Sequence, residues 1–356
     1  MSRFLSQKYD GIEPYVSGEQ PKDRRYIKLN TNESPYPPSP LAAEAVSRAA
    51  VTGLKLYSEP SSKALRQAIA RFWGLDESEV VVTNGSDEAL ALAFFAYCGG
   101  GEEMVSLDIT YNFYPVLSGL LGSPYRTIPL KEDFTVDVDA LCAADSHIVI
   151  ANPNAPTGIA LPLEEMERII QSNPSRVVIV DEAYADFWGY SCIPLIKKYP
   201  NLMVVQTFSK SRALAGARLG FAAGQKELIE DLDKIRDSLN PYNVNTLSQL
   251  LGIAAMKDEC YLRFCVQRIV DTRERVAKEL KALGFEVLPS STNFLLAKHP
   301  QIGGERLYLE LKSEGILVRY FSVERIRDYI RVSIGSDKEM DTFMEKIRKI
   351  LQGANQ

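Results

Sequence analysis

The sequence predicts an α/β fold: a large domain on a mostly parallel, doubly wound sheet, followed by a smaller α/β domain. Three observations predict it. Short β-branched runs recur at Val80-Val81-Val82, Ile148-Val149-Ile150, Val177-Val178-Ile179-Val180 and Met203-Val204-Val205. Segments with helical spacing of apolar residues separate them. Each run is continuously apolar instead of alternating, as expected of parallel strands covered on both faces.

Taken in order, the first 44 residues are rich in Pro and Tyr, with Pro35, Pro37, Pro38 and Pro40 close together. Proline fixes φ and removes a donor, so this stretch reads as an extended arm and not as a domain. Residues 45–250 hold the strand and helix alternation and form the large domain. After Asn240-Pro241 the character changes. A long helical stretch is expected from about Thr246 to Leu283, stopped by Gly284. Strands follow at Phe294-Leu295-Leu296, Ile316-Leu317-Val318 and Ile330-Arg331-Val332, then a last helix from about Lys338. Residues 251–356 are thus a smaller C-terminal domain. No internal repeat or low-complexity tract interrupts the chain.

Composition narrows the function. A net charge of −5 gives no support to nucleic-acid binding, which calls for a basic face. No apolar run approaches the roughly 20 residues of a membrane span, and the N-terminus has no apolar core of a secretory signal, so a cytoplasmic location is expected. Five cysteines without a close C-x-x-C pair suggest buried thiols and neither a disulfide framework nor a zinc site; no metal is expected. Only His147 and His299 are present, and there is no G-x-S-x-G elbow. Acid–base chemistry would therefore fall to lysine, tyrosine or aspartate.

Ligands of open parallel sheets bind beyond the carboxyl ends of the strands, and four of these ends are unusual. After Val82 comes Thr83-Asn84-Gly85-Ser86-Asp87-Glu88 and a helical run. Gly85 permits a sharp turn, and the helix start offers free N–H groups to a phosphate; an ordinary capped helix would look the same. After Ile150 comes the stiff loop Asn152-Pro153-Asn154-Ala155-Pro156-Thr157-Gly158. After Val180 comes Asp181-Glu182-Ala183-Tyr184, where the carboxylate can face a protonated pyridine nitrogen or simply cap a helix. After Val205 comes Gln206-Thr207-Phe208-Ser209-Lys210, with Arg218 beyond. Lysine forms Schiff bases when its pKa is depressed. Phosphate cradle, carboxylate, tyrosine and lysine together match one cofactor, pyridoxal phosphate.

The chain resembles the fold type I pyridoxal-phosphate aminotransferases of class I/II, most closely their histidinol-phosphate branch. The carriers are Asn32-Glu33-Ser34-Pro35-Tyr36, Leu56-Tyr57-Ser58-Glu59-Pro60, Asn84 to Glu88, Tyr111-Asn112-Phe113-Tyr114 and the Asn152 to Gly158 loop. Asp181 to Tyr184, Ser209-Lys210, Arg218 and Arg331-Val332-Ser333-Ile334-Gly335 complete them. The resemblance implies that Lys210 holds pyridoxal 5'-phosphate as a Schiff base and then moves the substrate proton. It implies that Asp181 keeps the pyridine nitrogen protonated, that Tyr111 stacks on the ring, and that Tyr184 bonds its phenolic oxygen. Gly85, Ser86, Asp87, Ser209 and Arg218 would hold the phosphate, and Tyr57 would reach the phosphate of a partner subunit in a homodimer, to which the arm also contributes. Arg331 would bind a carboxylate or phosphate of the substrate, helped by Tyr15, Asn32 and Arg319.

The pattern departs from the family at Ala155, where relatives carry an asparagine that donates to the cofactor phenolate. Either Asn154 reaches the ring from one position earlier, or Tyr184 serves alone. Milder departures are Ile109 before Thr110 and Ser34 before Pro35. The expected reaction is transamination of L-histidinol phosphate with 2-oxoglutarate, small-molecule partners both, as a step of histidine biosynthesis. Transamination of aromatic amino acids and decarboxylation of threonine phosphate remain open. A nucleotide-binding module is disfavoured, because neither G-x-G-x-x-G nor a Walker A sequence is present.

Overall fold

The computed structural model describes residues 2–354. The arm carries strand β1 (Ile27–Lys28). Seven strands then form one sheet: β2 (Val80–Thr83), β3 (Met104–Leu107), β4 (Tyr125–Ile128), β5 (His147–Ala151), β6 (Val178–Asp181), β7 (Leu202–Thr207) and β8 (Gly220–Gly224). Their order is β2-β8-β7-β6-β5-β3-β4. β8 runs antiparallel to both neighbours, and the remaining pairings are parallel. Alternate side chains serve opposite cores. Val80, Val82, Ile148, Ile150, Val178 and Val180 enter one apolar cluster. Val81, Val149, Ile179, Met203 and Val205 enter the other. Each such side chain contributes about 1.5–3 kcal/mol by leaving water. Two covered faces are why the runs tolerate no polar alternation.

Three strands of this sheet lie outside the β-branched runs. β4 is an edge strand whose Arg126 and Thr127 face solvent, so its apolar signal is half missing. β3 interrupts its apolar run with Ser106, whose hydroxyl donates to the Val149 carbonyl at 2.8 Å. β8 reads Gly-Phe-Ala-Ala-Gly because of what it passes. A Cβ on Gly220 would sit 2.4 Å from the Ser86 backbone nitrogen, so backbone meets backbone there. That contact seats the start of the helix Ser86–Cys98 at the edge of the sheet.

The remaining strands are β9 (Glu286–Val287), β10 (Phe294–Lys298), β11 (Ile316–Leu317), β12 (Arg319–Tyr320) and β13 (Tyr329–Ser333). Four of them form an antiparallel sheet in the order β12-β13-β10-β9. Phe294, Ile330, Val332, Phe343 and Ile347 share the core beneath it. β11 pairs in parallel with β1, which ties the arm to this second unit.

The helical stretch expected from Thr246 to Leu283 is two helices, Thr246–Lys257 and Glu259–Ala282. Asp258 breaks it, leaving helical dihedrals and accepting a hydrogen bond from the Tyr261 N–H at 3.3 Å. A carboxylate that caps the next helix competes with continuing the last one. In the arm, Ser39 caps the helix Pro40–Ala45 through the Ala42 N–H. No helix among the described residues is long and apolar enough to cross a membrane.

Candidate active site

The carboxyl ends of β2, β5, β6 and β7 meet the arm and the second sheet around a cavity of about 770 Å³. Lys210 enters it from the turn after β7. The turn is fixed by the Ser209 N–H donating to Thr207 Oγ1 at 3.1 Å. Lys210 Nζ donates to the Thr31 carbonyl at 3.1 Å and forms no ion pair among the described residues. Burial pushes its pKa down to about 8, with Arg331 and Arg218 adding to the effect and Glu33 and Asp87 opposing it. Arg331, not a cation on the lysine's own turn, is the larger of the two repelling charges. An amine in this condition is a nucleophile and base near neutral pH.

Asp181 ends β6 and is 5 % exposed. Its Oδ2 accepts from the Tyr114 hydroxyl at 2.8 Å and its Oδ1 from the Ala183 N–H at 3.1 Å. No cation bonds it among the described residues. Burial pushes its pKa up to about 6, against the two hydrogen bonds and Lys210. A buried carboxylate without a counter-ion is costly, and it is stabilised by a protonated ring nitrogen placed against it. Glu182 beside it faces elsewhere: Cys192 N–H, Ser191 Oγ and Gln206 Nε2 all donate to it.

An anion cradle lies at the end of β2. Gly85 adopts φ +81°, and a Cβ there would come within 2.6 Å of Arg218 Nη2. The first turn of the helix Ser86–Cys98 opens on this space, with the Ser209 hydroxyl and Arg218 on its rim. Arg218 Nη2 donates to Asp87 at 3.0 Å, and the Tyr111 hydroxyl donates to the other Asp87 oxygen at 3.0 Å. Free helix N–H groups, one guanidinium and one hydroxyl around Cβ-free backbone suit a phosphate dianion. The donor set therefore fits a phosphorylated pyridine: cradle at one end, uncompensated carboxylate at the other, amine between.

The far side is built from the arm and the second sheet. Arg331 on β13 packs its guanidinium 5.2 Å from the Phe294 ring centroid and 5.4 Å from that of Phe321. Its one hydrogen bond goes to the Asn30 carbonyl at 3.2 Å, and its buried Nε has no partner among the described residues. Arg319 holds the arm through the Val16 and Ser17 carbonyls, at 3.0 and 3.2 Å. Tyr15 sets its ring edge-on to Tyr111, with centroids 5.6 Å apart. Tyr184 is buried with its hydroxyl accepting from Asn32 Nδ2 at 2.9 Å.

Twelve of the residues expected from the sequence line the cavity; Gly85 lies directly behind it, and two stand apart. Asn154 is a correction to the expected cofactor contacts. Its Oδ1 accepts from Thr110 Oγ1 at 2.8 Å and its Nδ2 donates to the Ile109 carbonyl at 2.9 Å and to Thr157 Oγ1 at 3.0 Å, so its amide is used in tying the loop to the segment after β3. Ala155, not Asn154, faces the cavity. Tyr57 is 83 % exposed and stacks on Tyr242 outside the cavity, centroids 4.6 Å apart. Sequence reading missed Asn30, Thr31 and Thr207, whose backbone or hydroxyl groups serve the site. Polar residues in an arm and at a strand end carry no distinguishing signal. Neither histidine lines the cavity.

Comparison with known proteins places the chain in one family. The family described as aminotransferase class I and II matches residues 24–347. A histidinol-phosphate aminotransferase of Brachyspira hyodysenteriae is 50 % identical over 353 residues, covering 99 % of this chain and 100 % of the relative. One from Clostridium botulinum (strain Okra / Type B1) is 48 % identical over 351 residues, covering 99 % of each. The solved structure of histidinol-phosphate aminotransferase from Sinorhizobium meliloti, in complex with pyridoxal-5'-phosphate, superposes with a TM-score of 0.84. It is 26 % identical and covers 92 % of each chain.

Proposed function

This chain belongs to the aminotransferase class I and II family, and on that premise we propose that it moves the amino group of L-histidinol phosphate to 2-oxoglutarate with pyridoxal phosphate as cofactor. The observation that carries the reading is the convergence of Lys210, Asp181 and Arg331 on one cavity that also holds an anion cradle. Pyridoxal phosphate, when bound, supplies an electron-accepting ring that takes up the charge left as a proton leaves the substrate α-carbon.

The protein's own groups would do the rest. Ser209, Arg218 and the helix start at Ser86 and Asp87 would hold the phosphate. Asp181, kept in place by Tyr114, would hold a proton on the pyridine nitrogen. Tyr111 would cover one face of the ring. Lys210 would hold the cofactor and, once released by the incoming amine, move the proton at its Nζ. Arg331 would bind the anionic end of each substrate in turn, a carboxylate of 2-oxoglutarate or the phosphate of histidinol phosphate. Arg319 and Tyr15 would close the arm over it.

The division into an arm at 1–44, a large unit at 45–250 and a small unit at 251–356 belongs to this reading. So does a homodimer in which exposed Tyr57 reaches a partner's phosphate site. The test is a set of single turnovers with histidinol phosphate, phenylalanine and threonine phosphate. Histidinol phosphate is expected to convert the cofactor fastest; faster conversion by either of the others would replace this substrate.

A further inference from the structure

Resting on the reading of this cavity as a pyridoxal phosphate site, we propose that Asn32 is a positioning residue, oriented by Ser333, that keeps the Tyr184 hydroxyl proton directed into the cavity. The side-chain hydrogen bonds run in one direction through the network. Ser333 Oγ accepts from the Asn32 backbone N–H at 2.8 Å, so its own proton is free to be donated. It goes to Asn32 Oδ1 at 2.9 Å. The amide stands with its oxygen on Ser333 and its nitrogen toward Tyr184, an orientation in which both of its ends are paired. Asn32 Nδ2 donates to Tyr184 Oη at 2.9 Å, so Tyr184 acts as acceptor in that bond and retains its proton. Among the described residues the hydroxyl makes no other hydrogen bond, and Tyr184 lines the cavity. Its proton therefore points to whatever acceptor the cavity holds, which in this reading is the phenolic oxygen of the cofactor.

The backbone holds the amide in this place. Asn32 has φ +56°, a left-handed conformation that asparagine tolerates better than most residues. The Asn293 amide donates to the Asn32 carbonyl at 2.9 Å, and Asn32 is 1 % exposed. The turn also connects the two sides of the site. Ser333 lies two residues after Arg331 on β13, while Tyr184 follows β6. The consecutive carbonyls of Asn30 and Thr31 accept from Arg331 and Lys210. The charged groups facing Tyr184 are Arg331 from β13, Asp87 from the helix at Ser86, Asp181 from its own segment, and Lys210, whose Nζ is 5.9 Å from the ring centroid. Burial holds the phenol pKa above its ordinary value and the two aspartates add to this, while Arg331 draws the phenol toward ionisation. The Asn32 bond adds to the pull of Arg331.

A donor aimed at the phenolic oxygen stabilises its anion, and so lowers the pH at which the bound cofactor loses its proton and changes colour. Two variants remove the aim with little change of size. Asn32→Asp replaces the donor by an acceptor, which would take the Tyr184 proton for itself. Ser333→Ala frees the amide to rotate and introduces no charge. The experiment is a visible absorbance titration of each protein loaded with pyridoxal phosphate, alone and in a Tyr184→Phe background, with thermal melts as the folding control. Each single variant is expected to raise the midpoint by about 0.5–1 pH unit, the value of one hydrogen bond. In the Tyr184→Phe background the Ser333→Ala shift should vanish, and Asn32→Asp should retain only the part due to its added charge. The proposal is overturned if Ser333→Ala and Asn32→Asp fold normally and leave the midpoint unmoved, or if the Ser333→Ala shift is the same with and without the Tyr184 hydroxyl. A wild-type protein that shows no visible band with pyridoxal phosphate would instead sink the cofactor reading beneath it.

Discussion

The two walls of the cavity are made differently. The sheet wall brings Asp181, Lys210 and the turn at Gly85 from strand ends of one sheet, their backbones set by the strand ladder and by short-range bonds such as those of Ala183 and Ser209. The arm wall brings Tyr15, Asn32, Arg319 and Arg331 from segments hundreds of residues apart, joined largely through backbone carbonyls. One wall is fixed by the core and, in the proposed function, carries the chemistry. The other is fixed by ties between segments and, in the same proposal, meets the variable end of the substrate. The difference teaches that disruption should act on different observables: on cofactor attachment and proton transfer at the sheet wall, on substrate affinity at Tyr15, Arg319 and Arg331 of the arm wall, with Asn32 acting on the cofactor through Tyr184.

The largest effect tests the sheet wall. Lys210→Ala is expected to lower kcat by at least about 10³-fold, measured in single turnovers, because both attachment and proton transfer depend on one amine. Next is Arg331→Ala on the other wall. Losing a desolvated guanidinium opposite an anion should lower kcat/KM by about 10²-fold or more, while the loaded protein keeps its visible band. If that spectrum changed as much as it does in the Lys210 variant, the separation of the walls would fail.

A smaller effect concerns stability. Asp181 has its folded pKa raised to about 6 from 3.8. Between those values the folded cofactor-free protein binds the extra proton, so the group's favourable contribution is present at low pH and lost as pH rises through 6. Asp181→Asn should therefore stabilise the cofactor-free protein at pH 7 relative to pH 4, by about 1–3 kcal/mol in denaturant melts. Pyridoxal phosphate should remove that advantage, since it supplies the charge Asp181 lacks. Smallest is Arg319→Ala, expected to raise KM about 3–10-fold through a looser arm, with kcat nearly unchanged.

The same contrast governs what could be read from the sequence. Strands β2, β5, β6 and β7 declare themselves by apolar runs, and the residues just beyond them are the sheet wall. That is why Lys210, Asp181 and Gly85 were legible one after another. β8 was not, because its glycines answer to a backbone contact with Ser86 that only the fold creates. Asn154 is not among the cavity residues, and nothing local distinguishes an amide bonded to the segment after β3, at Ile109 and Thr110, from one facing a ligand. Arg331 was found through a family motif and not through spacing. The roles of Asn30 and Thr31 lie in their carbonyls, which every residue has, so no side-chain pattern could mark them.

The central claim is that Lys210 carries the cofactor, and borohydride reduction tests it most directly. Protein loaded with pyridoxal phosphate, reduced, digested and analysed by mass spectrometry should carry the pyridoxyl group on the peptide containing Lys210, with loss of the visible band. A label on another lysine, or none despite saturating pyridoxal phosphate, would contradict it.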